Sequence, residues 1–170
     1  MSRVFVTKTS FTAEEWNRLL GSVLVVTVAV SAAEPSGLWG LLKESMASGR
    51  ALLEAKTGSG SNALVKAVAD ELATREGQSA ARESLQSGFA GATQADVKAR
   101  AIAALRENGA LLDAKAPEDA PAFKAWLRQT AERAAEASSE GGFLGFGGVR
   151  VSDAEKATLA EISEALRLNA

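Results

Sequence analysis

Ser22-Val23-Leu24-Val25-Val26-Thr27-Val28-Ala29-Val30-Ser31-Ala32-Ala33 is the stretch on which the fold turns. Ending in small residues, it has the outline of the apolar region and cleavage site of a secretory signal. Its upstream flank is wrong for one. A signal opens on a basic leader, whereas Thr12-Ala13-Glu14-Glu15-Trp16 stands here, with Thr12 placed as N-cap and Glu15 as its capping-box partner. The run also falls short of a membrane span, offering about a dozen apolar residues where about 20 are needed. It therefore reads as a helix apolar on every face, buried at the centre of a bundle. The expected location is the cytoplasm.

Helical spacing continues outward from this run. The first helix is expected over residues 13–33, closed by Glu34-Pro35-Ser36-Gly37, because Pro removes a backbone donor and Gly accepts positive φ. A second covers 38–56, where Leu38, Leu41, Leu42, Met46, Leu52 and Leu53 recur at helical intervals before the flexible Gly58-Ser59-Gly60-Ser61. A third covers 62–75, with Glu76-Gly77-Gln78 as a break or bend and 79–89 as its continuation towards Gly91. Thr93 with Asp96 opens a helix to residue 115, Pro117 to Pro121 makes a corner, and a further helix covers 122–139. Ser152 with Glu155 caps the last, over 153–168. Val4-Phe5-Val6 could be a short strand or equally an extended arm. The fold class expected is all-α: a single-domain bundle of six or seven helices over residues 13–168, behind an N-terminal arm of residues 1–12.

A weak repeat runs through this series. Ala51-Leu52-Leu53-Glu54-Ala55-Lys56 matches Ala110-Leu111-Leu112-Asp113-Ala114-Lys115 at an offset of 59, and Val65-Lys66-Ala67-Val68 parallels Phe123-Lys124-Ala125-Trp126. A duplicated helix-loop-helix with pseudo-twofold symmetry would explain the match. So would chance, since Ala, Leu and Lys are common in any helical protein.

Composition narrows the chemistry. At 170 residues the chain has the length of one domain, enough to bury a core without staples. The formal charge of −2, with basic residues scattered among acidic ones, gives no concentrated basic stripe, so nucleic acid is not expected as a partner. The sequence contains no Cys, no His and no Tyr. That removes disulfides, thiol nucleophiles, His general bases, the Ser-His-Asp arrangement and Cys/His zinc sites, and it disfavours Glu-x-x-His di-iron bundles. The remaining carboxylates mostly sit beside Lys or Arg at spacings of a solvated helix face. No enzyme activity and no cofactor are expected.

Two features invite a binding role. Gly141-Gly142-Phe143-Leu144-Gly145-Phe146-Gly147-Gly148 gathers two of the six Phe and five of the fifteen Gly into one interhelical segment. A phosphate cradle would need a preceding strand or a Gly-Lys-Ser/Thr ending, and neither is present. Phe143, Leu144 and Phe146 therefore either plug the core or offer an apolar contact to a partner. Trp16, Trp39 and Trp126 each stand in the first turns of an expected helix. They serve as core packing at bundle ends, or Trp39 and Trp126 join Phe143 and Phe146 as walls of a pocket between helices.

Val151-Ser152-Asp153-Ala154-Glu155-Lys156-Ala157-Thr158-Leu159-Ala160-Glu161-Ile162, entered from a turn and closing near Leu168, resembles the final helix of tellurite-resistance-protein-B-like domains. Val28-Ala29-Val30-Ser31-Ala32-Ala33-Glu34-Pro35-Ser36-Gly37 is similar to that family's opening helix and acidic turn. The resemblance implies a helical, pseudo-symmetric domain of similar length and a setting in stress response. The family's Asp-Gly turns are replaced here by Glu34-Pro35 and Gly148-Val149. That leaves Glu34, Asp153 and Glu155 as the candidate metal ligands, a set short of the six or more oxygens of a hard-cation site, and no metal is expected. The expected function is a non-enzymatic cytoplasmic helical module acting through contact with an unknown protein partner or through self-association. The alternative is a carrier of small apolar ligands.

Overall fold

Residues 19–30 are buried around the whole circumference of the helix they form, and the rest of the chain wraps them. The structure, a computed structural model, describes residues 6–33, 62–140 and 151–168. Among these residues a 3-10 turn, Lys8–Ser10, precedes six α-helices and there is no strand. They are α1 (Ala13–Ala32), α2 (Ala63–Leu72), α3 (Arg75–Gly88), α4 (Gln94–Lys115), α5 (Ala120–Glu140) and α6 (Asp153–Ala165). The protein is all-α, a helical bundle in which α1 touches each of the other five helices. No helix among the described residues is long and apolar enough to cross a membrane.

Local preference alone would not make α1. Val23, Val25, Val26, Val28 and Val30 are β-branched, and each gives up about half a kcal/mol of helix propensity relative to Ala. Full burial of such a side chain contributes about 1.5–3 kcal/mol, so packing wins. The two hydroxyls in the buried stretch are satisfied within the helix: Ser22 Oγ donates to the Leu19 carbonyl at 2.5 Å and Thr27 Oγ1 to the Val23 carbonyl at 3.2 Å.

The start of α1 is fixed by side chains. Thr12 Oγ1 accepts from the Glu15 amide at 3.1 Å, and Glu15 Oε2 accepts from the Thr12 amide at 2.8 Å. The residue before the cap, Phe11, packs on Trp16 with ring centroids 6.0 Å apart, the hydrophobic staple that sets the entry angle of the chain. Part of the expected N-terminal arm is thus core. The Glu71 carboxylate on α2 accepts from Trp16 Nε1 at 2.9 Å and pairs with Lys8 Nζ at 2.7 Å, tying arm, α1 and α2 together.

Helix boundaries differ from expectation in two places. The break expected at Glu76-Gly77-Gln78 lies earlier, at Ala73 and Thr74. Thr74 is the N-cap of α3: its Oγ1 accepts from the Gly77 amide at 3.0 Å and donates to the Glu71 carbonyl at 2.7 Å. Gly77 lies within the helix, at a position where any Cβ would collide with that same Glu71 carbonyl. At the other end, α6 stops at Ala165 instead of continuing to residue 168. Arg167 adopts φ 56°, and the Leu168 amide donates to the Ser163 carbonyl at 2.9 Å, a Schellman closure built on a residue other than Gly. Pro121 falls in the first turn of α5, where its missing N–H leaves no helical bond unmade.

Of the internal repeat, residues 51–56 lie outside the described residues. In the second half-match, Val65 and Val68 on α2 and Phe123 and Trp126 on α5 are all buried. The central Lys differs: Lys66 is exposed, whereas Lys124 is 5 % exposed and pairs with Asp113 at 2.6 Å.

Lys115, at the end of α4, lies 2.6 Å from Glu15 Oε2. That hydrogen bond, followed by the one from the Thr12 backbone, holds the Glu15 carboxyl below its ordinary value of 4.5. Asp96, bonded by the Thr93 side chain and then its backbone, is held below 3.8 in the same way. A carboxyl lowered by folding stabilises the folded state above its ordinary value and loses that contribution as pH falls through the lowered one. The melting temperature should therefore decline as pH is lowered from about 5 to about 3. Glu15→Gln keeps the capping box but removes the charge, so its decline, followed by circular dichroism, should be shallower. Equal declines in both proteins would contradict this role.

Candidate ligand groove

Helices α3 and α4 are joined by the turn of residues 89–93, in which Gly91 takes φ 71°. Both pack extensively on α1 but barely on each other. Between them, above α1, a groove opens with a volume of about 680 Å³. That falls within the usual range for small-molecule sites, about 300–1,000 Å³.

Small side chains make the space. Gly21 on α1, Ala80, Ser84 and Gly88 on α3, and Ala104 on α4 line the groove and leave it unfilled. Gly21 also sets how closely α1 and α3 approach, since a Cβ there would stand 3.1 Å from Ser84 Oγ and 3.4 Å from the Ala81 carbonyl. Val25, Leu85 and Phe89 supply the apolar wall. Leu85 and Phe89 also pack on the small cluster of Val28 and Val97.

The polar groups are of two kinds. Glu14, Arg18, Glu83 and Glu107 are charged lining residues, and Arg18 reaches from α1 to Glu107 on α4 at 3.4 Å. With side-chain exposures of 35 % and 71 %, that pair is screened by water and contributes little to stability. Asn108 is different. It lines the groove, is 3 % exposed, and its Oδ1 has no hydrogen-bond partner among the described residues. A buried amide oxygen left unmatched costs about 1–3 kcal/mol.

Of the residues expected to form a site, those within the described residues do not line the groove. Trp126 is 3 % exposed and packs edge-on against Phe123, with ring centroids 5.3 Å apart. It belongs to the core and does not line this groove. Trp16 is likewise core, its indole N–H bonded to Glu71. Trp39, Phe143, Leu144, Phe146 and Glu34 lie outside the described residues. Of the remaining metal candidates, the Asp153 side chain is fully exposed and lies 4.0 Å from Lys156. Glu155, 2 % exposed, is committed to the Ser152 capping box, its Oε2 accepting from the Ser152 amide at 3.0 Å. The two carboxylates do different work and do not converge. Among the described residues no group of three or more Asp or Glu is placed to hold a metal ion.

Comparison with protein-family models, curated proteins and solved structures brings up no match. The groove must speak through its own chemistry. Its one trace in the sequence is Glu107-Asn108-Gly109 in the middle of a 22-residue helix, where Asn and Gly are both poor helix formers. Packing does not demand Gly109, since a Cβ there would only reach ordinary contact with the Ala165 carbonyl and Lys124. Nor does a hydrogen bond of its side-chain oxygen explain Asn108.

If Asn108 is kept for binding, it should be dispensable for folding. Asn108→Leu replaces an unmatched amide by an apolar group of similar shape and should raise the unfolding free energy by about 1 kcal/mol, a gain of a few degrees in Tm. A fall in Tm on thermal denaturation would show that the amide serves the fold.

Proposed function

We propose that this chain is a non-enzymatic helical binding module, and that its working surface is the groove between α1, α3 and α4, which takes a small ligand with an apolar body. The observation that carries the reading is the Asn108 amide, buried on the groove wall with its oxygen unmatched. Folding tolerates such a group where it gains a partner on binding. The volume and the mixed apolar and polar lining also suit a small molecule better than a flat protein contact.

The reading through contact with a protein partner or a second copy is carried by Phe143, Leu144 and Phe146, whose apolar side chains cluster in a Gly-rich segment. The resemblance of the first and last helices to tellurite-resistance-protein-B-like domains supports a stress-related role.

Filling the groove tests the ligand reading. Ala104→Trp places a large side chain into the space while leaving the core of α1 untouched. With the neutral fluorescent probe N-phenyl-1-naphthylamine, the wild type should show a saturable rise in emission. Ala104→Trp should lose it while keeping the far-ultraviolet helical spectrum. No saturable rise in the wild type, or an equal rise in both proteins, would overturn the reading.

A further inference from the structure

The groove is not neutral towards the head group of a ligand. Its lining holds three carboxylates, Glu14, Glu83 and Glu107, against one guanidinium, Arg18, which is already paired with Glu107. Glu14 and Glu83 make no ion pair among the described residues. The unmatched atom on the wall is an acceptor, the amide oxygen of Asn108. What such a set lacks is a donor carrying positive charge.

From this, and resting on the groove being the binding surface, we propose that its ligand is an organic ammonium. Its apolar body lies against Val25, Leu85 and Phe89, and its charged N–H head is held among the carboxylates and by Asn108 Oδ1. The terminal amide torsion of Asn is broad and soft, so a modest turn of χ2 presents the oxygen to the groove without disturbing the helix. An N–H bond from a cation to that oxygen is charge-assisted, and removing the amide's penalty adds to its effect. A fatty acid would meet the opposite situation. Its carboxylate would face two glutamates without an ion pair and an acceptor oxygen, and would have to share Arg18 with Glu107.

A matched series separates the head from the body: n-octylammonium, octanol and octanoate share one chain and differ in charge. Titrated calorimetrically at pH 7 and low salt, octylammonium should bind at least about tenfold more tightly than either of the others, as expected for one hydrogen bond to a charged group. The preference should shrink with added salt and in the exposed-site variant Glu83→Gln. In Asn108→Leu octanol should still bind while the tenfold margin largely disappears. Octanol binding as tightly as octylammonium, or a margin that survives both substitutions, would overturn the ammonium assignment while leaving the groove as a site. Failure of all three compounds to bind the folded wild type would remove the groove reading itself.

Discussion

Everything in this bundle follows from one constraint: residues 19–30 of α1 have no exposed face. A helix apolar around its whole circumference must be covered on all sides, and the remaining helices are arranged to cover it. The side chains that do so, among them Leu64, Val68, Leu105, Phe123, Leu127 and Ile162, come from four different helices. The ends of α1 are then the places where polar chemistry can re-enter. At its start that chemistry is dense, with capping box, staple, Glu71 and Lys115 all meeting within one turn.

Covering a cylinder with straight helices leaves gaps, and where a gap falls is decided by side-chain size. Gly21 lets α3 sit close on α1, while the α3–α4 turn holds those two helices together only near residues 89–93. The space between them stays open because six of the fifteen residues facing it are Gly, Ala or Ser. Larger residues there would have closed the bundle and matched its core density. The groove thus follows from where the sequence is small, and its polarity from the carboxylates and amides left around it.

The parts of this architecture that could be read from sequence are those written in local code. The all-apolar run of residues 22–33 announces a central helix, and the pairs Thr12 with Glu15, Thr93 with Asp96, and Ser152 with Glu155 mark three helix starts, because each is a side chain bonded three residues away. The break between α2 and α3 was not legible in the same way. Gly77 suggests a helix end, yet its role is steric clearance from Glu71 inside a helix that Thr74 has already started. The early stop of α6 is equally hidden, since Arg167 carries none of the compositional signal that Gly would. The groove was the least legible feature of all. It is made by small residues from α1 and from the consecutive α3 and α4, which meet only in the fold, and composition marks bulky aromatic residues more readily than absences. Trp126 illustrates the bias: a conspicuous residue, it went to the core, while Asn108 escaped notice.

Native-state hydrogen exchange tests the central claim that α1 is the axis on which the rest depends. If every other helix is held by packing on residues 19–30, their amides can exchange only when the whole bundle opens, and their protection should equal the global unfolding free energy. Amides of α3 and α4 beside the groove should exchange through smaller openings. Protection in residues 19–30 lower than that of α3 or α4 would contradict the account.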